Sequence, residues 1–251
     1  MVDSSSYNST GMLQHLLLST FYGLNRSYSK KIFIGFDLND TETEFEFVFW
    51  LCGNNFNSGY LALNYNGWKR LQTYFPKIDE YLQGKNMKNS DQTFENEDFT
   101  IKLTRSYYDK AIEISSEENK SNNKKFKVSL VLKKVSFDTL KNLSHTIDTK
   151  FDQLNAKRTY LFLLKDKFIN YITEKLNASE KNIISQVNIK DIKLICNEFD
   201  EKVTENFKQE LEQESPELEP ASRNDSHLFL KELYALNFNY LISTISNKLD
   251  L

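Results

Sequence analysis

Hydrophobic and polar residues alternate in two stretches of the N-terminal third of the chain. Over residues 30–38 the apolar side chains fall on every second position, and residues 44–52 repeat this pattern with four aromatic residues. A period of two that is rich in aromatic residues is typical of β-strands. A turn of glycine and asparagine residues follows. A third strand is predicted after that turn, at residues 60–65.

A helical period follows the third strand. Its apolar residues recur at intervals of three or four positions: Trp68, Leu71, Phe75, Ile78 and Leu82. Asn64 or Asn66 offers a side-chain oxygen that can cap the first turn. Pro76 predicts a bend or a restart, because proline has no backbone N–H to donate. We therefore expect a small antiparallel sheet with a helix on one face.

The same apolar pattern occurs a second time further along the chain, at a constant offset and without a gap. The matched positions are Leu61, Leu63, Leu71, Ile78 and Asp79 in the first copy and Leu130, Leu132, Leu140, Ile147 and Asp148 in the second. A fixed offset that holds through strand-like and helix-like segments indicates two copies of one supersecondary unit. This predicts an α+β fold with two tandem antiparallel-sheet-plus-helix repeats, followed by a helical C-terminal region.

The pattern divides the chain into seven parts. They are an N-terminal segment with a short helix (1–29), the first repeat (30–84), a polar linker (85–98), the second repeat (99–151), a helical region (152–209), an acidic linker (210–225) and an amphipathic C-terminal helix (226–251). The short helix is placed at residues 12–18, and residues 115–125 are expected to form a flexible loop. Ser226 is expected to cap the last helix. Its apolar arc is wide, so we expect it to pack on the body or to pair with another chain.

Composition and charge narrow the class of protein. Aromatic residues make up 14% of the chain, which is too many for a disordered protein. The net charge is −3 overall, but residues 98–149 alone carry 10 basic and 7 acidic side chains. The positive charge is therefore concentrated in the second repeat. The abundance of Asn, Lys, Phe and Tyr is also typical of an AT-rich genome, such as that of a parasite or an insect virus.

The sequence contains no catalytic signature. Its three histidines lie far apart, and its two cysteines do not form a metal-binding or disulfide pattern. No phosphate-binding loop, dinucleotide fingerprint or nucleophile elbow is present. We therefore expect a protein that is not an enzyme and that needs no cofactor or metal. No apolar run approaches the length needed to span a bilayer, so we also expect that it does not enter a membrane. Two cysteines without a disulfide framework favour an intracellular location, and we expect the protein to be nuclear.

The outward faces of the predicted strands suggest a binding surface. In the second repeat they carry a row of cations beside an aromatic residue, and in the first repeat they carry aromatic rings beside a lysine. The candidate residues are Lys31, Phe33, Trp50, Tyr60, Lys102, Arg105, Tyr107, Lys125, Lys127, Lys133 and Lys134. Rings stack on unpaired bases and lysines follow phosphates, so this combination suits single-stranded DNA or RNA.

A plainer interpretation explains the same residues. Lysines on a strand often keep an edge soluble and prevent it from pairing with other chains. Aromatic residues on both faces of a strand indicate only that both faces are buried. Under this alternative the protein is a structural or interaction module, and residues 226–251 join it to a second copy or to a protein partner.

Residues 59–79 resemble the last strand and helix of the transcriptional positive cofactor 4 family. The matching positions are Gly59, Leu61 or Leu63, Trp68, Leu71, Ile78 and Asp79, and the second repeat keeps Ser129, Leu130, Phe137, Leu140, Ile147 and Asp148. The resemblance implies a four-stranded sheet with a C-terminal helix, dimerisation through the helices, and binding of single-stranded DNA with little sequence preference. Two copies in one chain would form a pseudo-dimer.

The chain departs from that family in two places. The family's basic loop before the last strand is replaced by residues 53–59, which carry no positive charge, and the helical tail has no counterpart. The second repeat is therefore the better candidate for phosphate contacts. We expect a coactivator-like protein that binds single-stranded nucleic acid in replication or transcription.

Overall fold

The protein combines two β-sheets with a set of helices. The structure, a computed structural model, describes residues 16–37, 45–53, 60–84, 92–119, 125–178, 189–197, 199, 201–236 and 238–248. Two four-stranded antiparallel sheets are each followed by helices, and more helices form the C-terminal region. The predicted α+β fold, with two sheet repeats and a helical C-terminal region, is confirmed.

The first copy has one more strand than its sequence pattern predicts. Its sheet, sheet 1, has the order β1-β2-β3-β4 and leads into two helices: β1 (Leu17–Gly23), β2 (Lys31–Asp37), β3 (Glu46–Cys52), β4 (Tyr60–Leu63), α1 (Tyr65–Thr73) and α2 (Phe75–Leu82). The short helix predicted at residues 12–18 is wrong at Leu17 and Leu18, which begin β1. Residues 12–15 lie outside the described part of the chain. A short leucine-rich run has no period that separates strand from helix.

The helix after β4 begins and breaks where the sequence predicts. The Asn64 side chain accepts a hydrogen bond from the Gly67 backbone N–H at 2.8 Å. Tyr74 separates α1 from α2, and Pro76 lies in the first turn of α2, where its missing N–H has no helical partner to lose. Trp68 stacks on Phe49 with ring centroids 5.4 Å apart, so α1 is held on sheet 1.

The second copy repeats this arrangement. Its sheet, sheet 2, has the order β5-β6-β7-β8 and leads into one long helix: β5 (Thr93–Glu95), β6 (Thr100–Ser106), β7 (Asp109–Asn119), β8 (Lys125–Lys133) and α3 (Lys134–Ala156). Two predictions are corrected here. β5 lies inside the predicted linker 85–98, and β7 extends to Asn119 through half of the predicted loop 115–125. Both segments are polar, so cross-strand pairing and not local preference makes them strands.

The offset between the copies changes at their third strands. Leu61 in β4 and Leu130 in β8 keep the predicted offset. Leu51 is the register partner of Leu61, however, and Ile114 is the register partner of Leu130. The spacing from Leu51 to Ile114 is six positions shorter than the spacing from Leu61 to Leu130. The expectation of an ungapped repeat is therefore wrong for this strand.

Two loops of different length account for the change. Eight residues separate β2 from β3, whereas two residues, Tyr107 and Tyr108, separate β6 from β7. The connection between the third and fourth strands compensates, because it is six residues longer in the second copy than in the first. It spans positions 53–59 between the register partners Cys52 and Tyr60, and positions 116–128 between Ser115 and Ser129. The copies share their fourth strand and helix, but the second copy alone has a tight hairpin between its second and third strands.

The C-terminal region contains five helices within the described ranges. They are α4 (Arg158–Ala178), α5 (Ile189–Asn197), α6 (Glu201–Glu214), α7 (Arg223–Leu236) and α8 (Phe238–Lys248). None of the described helices has the length and apolar character needed to cross a lipid bilayer.

The predicted boundaries of the last elements are corrected. The acidic linker is shorter than 210–225, because its first residues complete α6 and its last ones begin α7. Ser226 does not cap a helix but lies buried inside α7. The Ser222 hydroxyl accepts the hydrogen bond of the Asp225 backbone N–H at 3.1 Å instead. The expected single helix over 226–251 is two helices, α7 and α8.

The described residues group into two compact units. Unit 1 contains residues 19–35 and 47–151, and unit 2 contains residues 16–18, 36–46 and 152–251, apart from the undescribed positions. In unit 2, Phe45 packs edge-on against Phe229 at 5.4 Å and Phe162 at 6.0 Å. The apolar stripes of α7 and α8 are fully buried at Phe229, Leu230, Leu233, Leu241 and Ile245. The burial of these residues inside unit 2 is consistent with the prediction that the stripes pack within the protein.

Inside unit 1, three side chains of the first copy donate hydrogen bonds to one carboxylate of the second. Asp148 on α3 accepts from the Trp68 indole at 2.8 Å, from the Lys69 ammonium at 2.6 Å and from the Gln72 amide at 3.1 Å. Trp68 is fully buried. A buried N–H without a partner is destabilising, so the carboxylate fixes α3 against α1.

The reciprocal contact exists at the matched positions. Asp79 occupies in the first copy the position of Asp148, and Lys141 in the second copy the position of Gln72. The Lys141 ammonium donates to Asp79 at 2.9 Å. In a twofold dimer, when one position in the first copy contacts a second position in the other copy, the reverse contact is also made. The two copies form a pseudo-dimer within one polypeptide.

The last helix of each copy also packs against the sheet of the other copy. Phe151, near the C-terminal end of α3, lies edge-on to Phe47 of sheet 1, with ring centroids 4.9 Å apart. Tyr81 of α2 donates its hydroxyl hydrogen to the Thr104 carbonyl of sheet 2 at 2.7 Å, and its carbonyl accepts from the Lys110 ammonium at 3.0 Å. Neither sheet is covered by the helix of its own copy alone.

Replacing Asp148 by alanine should destabilise the protein, because it leaves the buried Trp68 indole without an acceptor. Hydrogen bonds to charged groups and the desolvation of an unpaired donor predict a loss of about 3 kcal/mol in the free energy of unfolding. Urea unfolding followed by tryptophan fluorescence measures it. The control is Asp138→Ala on the same helix, which breaks only an exposed pair with Lys134 and should cost less than about 0.5 kcal/mol. Equal losses would contradict the assignment of Asp148.

Acidification should weaken the reciprocal contact at Asp79. The hydrogen bond from Lys141 holds the pKa of Asp79 below its usual value. A carboxyl with a lowered pKa stabilises the folded state above its unfolded pKa of about 3.9, and this is lost as the pH falls through the folded value. In urea titrations between pH 6 and 3, Asp79→Asn should therefore show a shallower loss of stability than the unmodified protein. Identical slopes would contradict this prediction.

Candidate functional site

The outward face of sheet 2 does not present an isolated row of lysines. Lys102 on β6 is exposed but lies directly opposite Glu113 of β7. The Lys133 ammonium is 2.8 Å from the Asp109 carboxylate. Opposite charges on facing strands neutralise one another across the pleat. At Lys102 and Lys133, the predicted basic face is therefore a face of alternating charge, because β7 supplies the acidic partners.

Of the three other predicted lysines, only Lys134 has a side chain in the described part of the structure. Lys125 and Lys127 belong to β8, and the backbone register places Lys127 opposite Glu117. The side chains of Lys125 and Lys127 lie outside the described part of the structure. Lys134 is the first residue of α3, where its ammonium pairs with Asp138 one turn later at 2.6 Å.

The predicted aromatic platform of the first copy is not accessible. Trp50 is 2% exposed and Phe33 is 4% exposed, so neither ring can stack on a base in this conformation. Tyr60 is half-buried and stacks on Trp50 with ring centroids 4.2 Å apart. The Lys31 ammonium lies 5.3 Å from the centre of the Phe21 ring. Strand alternation correctly predicts which residues share a face, but here both faces of β3 are buried.

Two tyrosines form the tip of the β6–β7 hairpin. Tyr107 is 90% exposed and Tyr108 is 98% exposed. Their φ angles are 51° and 70°, and they join the register partners Ser106 and Asp109. Positive φ at both central residues of a two-residue hairpin defines a type I′ turn, which normally contains Asn-Gly. Bulky residues in this left-handed conformation are strained by roughly 1–2 kcal/mol each.

Cations surround the tip. Arg105 is exposed and makes no ion pair within the described residues, and the Lys133 ammonium lies 5.6 Å from the centre of the Tyr107 ring. Burial, and after it the nearby charge of Lys133, lowers the pKa of Lys30 at the start of β2. We call Lys30, Arg105, Tyr107, Tyr108 and Lys133 the tip cluster. Solvent-exposed rings beside cations are suited to stacking and phosphate contact at one place.

The tip cluster contains three of the eleven predicted site residues. Lys133 lies against the Tyr107 ring, and Arg105 lies two positions before Tyr107 on the other face of sheet 2. Lys30 and Tyr108 were not among the predicted residues. The signal for Tyr108 is present in the sequence, because two tyrosines stand between two runs of period two at the spacing of a type I′ hairpin. Lys30 had no such signal, because the pseudo-dimer and not its own strand places it near Lys133.

The remaining reactive groups do not form a site within the described ranges. No group of three or more His, Cys, Asp and Glu residues there is arranged to hold a metal ion. Burial raises the pKa of the Cys52 thiol to about 11 and that of Cys196 to about 12. A thiol with a raised pKa is a poor nucleophile at neutral pH.

Comparison with known proteins does not assign a family. No protein-family model matches the chain, and no curated protein matches its sequence. The chemistry of the tip cluster is therefore the basis for any functional conclusion.

Replacing Tyr107-Tyr108 by Asn-Gly should stabilise the protein, because these residues adopt positive φ without the strain of a bulky side chain. We expect an increase of about 1–2 kcal/mol in the free energy of unfolding. Urea unfolding measures it, and the control is the double variant Tyr107→Phe/Tyr108→Phe, which keeps the rings and the strain. A loss of stability in the Asn-Gly variant would show that the tyrosines support the fold.

Proposed function

We propose that this protein binds single-stranded nucleic acid, DNA or RNA, through the tip cluster. The observation that carries the proposal is a strained turn that exposes Tyr107 and Tyr108 almost completely beside Arg105 and Lys133. Backbone strain that the fold tolerates at an exposed aromatic pair favours a functional role over a structural one. The resemblance of residues 59–79 to the positive cofactor 4 family supports a role in replication or transcription.

Single strands suit the tip better than duplexes do. A ring stacks on a base only when the face of that base is exposed, and in a duplex the base faces are stacked on one another. The tip has two rings, so it offers stacking positions for two bases. Phosphates next to these bases would contact Arg105 and Lys133, and the counterions they release make the affinity dependent on salt.

The alternative of assembly through residues 226–251 has less support. The described stripe residues Phe229, Leu230, Leu233, Leu241 and Ile245 are buried within unit 2. Among the described side chains of α7 and α8, Leu228 is the one large hydrophobic residue that is exposed, at 48%. In that part of the two helices, one exposed leucine does not form an apolar patch of the size that protein interfaces need. A homo-oligomer or a protein partner at these helices is therefore the second candidate.

The double variant Tyr107→Ala/Tyr108→Ala should weaken binding to oligo-dT. Stacking contributes about 1–3 kcal/mol per base, so we expect a loss of affinity of tenfold or more. Fluorescence anisotropy with labelled dT12 and a matched duplex, at several salt concentrations, measures it. The control is Tyr28→Ala, since Tyr28 is also an exposed tyrosine with positive φ but lies between β1 and β2.

The proposal predicts three further results of that experiment. The unmodified protein must prefer dT12 to the duplex, its affinity must fall with salt, and Tyr28→Ala must bind as the unmodified protein does. The Asn-Gly turn variant separates folding from binding, because it should be more stable and yet bind more weakly. Binding that ignores salt, or that prefers the duplex, would contradict the proposal.

A further inference from the structure

A groove lies between α2 of the first copy and the edge of sheet 2 in the second copy. Its volume is about 560 Å³, and it is lined by Lys77, Glu80, Tyr81, Gln92, Thr93, Phe94 and Leu103. This volume lies within the range of small-ligand sites, which is roughly 300–1,000 Å³. The groove depends on the pseudo-dimer, because α2 meets sheet 2 only when the two copies pack together.

The groove has an aromatic wall beneath a cation. Phe94 of β5 is half-buried, and the Lys77 ammonium lies 5.4 Å from the centre of its ring. The Tyr74 ring packs against the Phe94 ring, with ring centroids 5.4 Å apart. On the polar side, the Glu80 carboxylate and the Gln92 amide offer hydrogen-bond acceptors. A flat ring with N–H groups on its edge and an anion attached would match all three features.

The groove is continuous with the tip cluster. Leu103 in its wall and Arg105 lie two residues apart in β6, so they share one face of the sheet. Arg105 is the register partner of Lys110, whose ammonium donates to the Tyr81 carbonyl in the other wall at 3.0 Å. One face of the hairpin therefore runs from the groove past two cations to the tyrosines.

We propose that this groove takes one base of the single strand that the tip cluster binds. The base stacks on Phe94, its edge N–H groups donate to Glu80 or Gln92, and the adjoining phosphates contact Lys77 and, toward the tip, Arg105. This inference rests on the proposed function, since the strand reaches the groove from the tip. It deepens that function by assigning a second subsite and a preference for bases whose ring carries an N–H donor, which in DNA are thymine and guanine.

The spacing of the two subsites predicts how long the strand must be. Tyr107 lies four positions after Leu103, which corresponds to about 13 Å along a strand. At about 3.4 Å per nucleotide this distance takes up to four nucleotides, and fewer when the strand is extended. A dinucleotide is therefore too short to occupy both subsites and reaches only the tip or only the groove, whereas dT12 is long enough to reach both.

The experiment compares Phe94→Ala with the unmodified protein over a series of oligo-dT lengths. Phe94→Ala should lower the affinity for dT12 roughly tenfold, the effect expected for one stacked base. It should leave the affinity for dT2, measured by chemical-shift titration, unchanged at the tip resonances. The Tyr107→Ala/Tyr108→Ala variant should weaken binding at both lengths. Circular dichroism verifies that the Phe94 variant is folded.

Lys77→Ala provides a second variant that does not threaten folding, because Lys77 is exposed on α2. It should reduce the slope of log affinity against log salt by about one for dT12. The matched controls are Lys202→Ala, an exposed lysine on α6, and Phe21→Ala, a partly exposed phenylalanine beneath Lys31 in sheet 1. Both controls should bind dT12 as the unmodified protein does.

The outcomes separate the groove from the tip. If dT12 binds and the Phe94 and Lys77 variants bind it unchanged, the groove inference is overturned and the proposed function stands. A loss of equal size for dT2 and dT12 in Phe94→Ala also overturns it, because the groove would not be a separate subsite. If the unmodified protein does not bind dT12, both the proposed function and the groove inference are wrong. A cross-link from 5-iododeoxyuridine in dT12 to Phe94 would support the inference directly.

Discussion

The Asp148 carboxylate, which accepts hydrogen bonds from Trp68, Lys69 and Gln72, joins the helices of the two copies. Trp68 also stacks on Phe49 of its own sheet, so the carboxylate ties α3 to sheet 1 through one buried ring. β4 then lies beside β8, and α2 reaches sheet 2. The groove between α2 and β5 is formed by the same packing of the two copies.

A pseudo-dimer within one chain allows its halves to diverge. In a true twofold dimer every change occurs twice, whereas here the difference in loop length affects one copy. The long connection between β2 and β3 has no counterpart in the second copy, whose two-residue turn forces two tyrosines to the end of the hairpin. The interface keeps its reciprocal carboxylates, Asp79 and Asp148, because both copies need them to pack. The symmetric part of the molecule therefore serves the fold, and the asymmetric part carries the candidate site.

The sequence predicts elements whose cause is local. β2, β3 and β4 follow from a period of two, and the start and break of the first helix follow from Asn64 and Pro76. β1 and β5 were missed, since a short leucine-rich run and the segment Thr93–Glu95 have no period of their own and are strands only because a neighbour pairs with them. The third-strand offset was missed for a similar reason, because apolar matches at a fixed spacing do not report loop lengths.

The candidate site was predictable only in part, because it depends on which residues face one another. Alternation placed Lys102 and Lys133 outward, but only the register shows that β7 sets Glu113 opposite Lys102. Alternation likewise cannot tell an exposed aromatic face from a covered one, as Trp50 demonstrates. The tip was visible as two adjacent tyrosines between two strands. Its neighbour Lys30 comes from a distant part of the sequence, and no local pattern indicates such a contact.

The ion pairs of the molecule differ in how readily an anion can displace them. Lys133 and Asp109 are 38% and 68% exposed, and an exposed pair of this kind contributes only about 0–1 kcal/mol. A phosphate that replaces Asp109 at Lys133 therefore meets little resistance. Asp148 is different, since its loss would leave a fully buried indole N–H without an acceptor. Under the proposed function, a bound strand would therefore reorganise the charges of the tip cluster and leave the interface between the two copies intact.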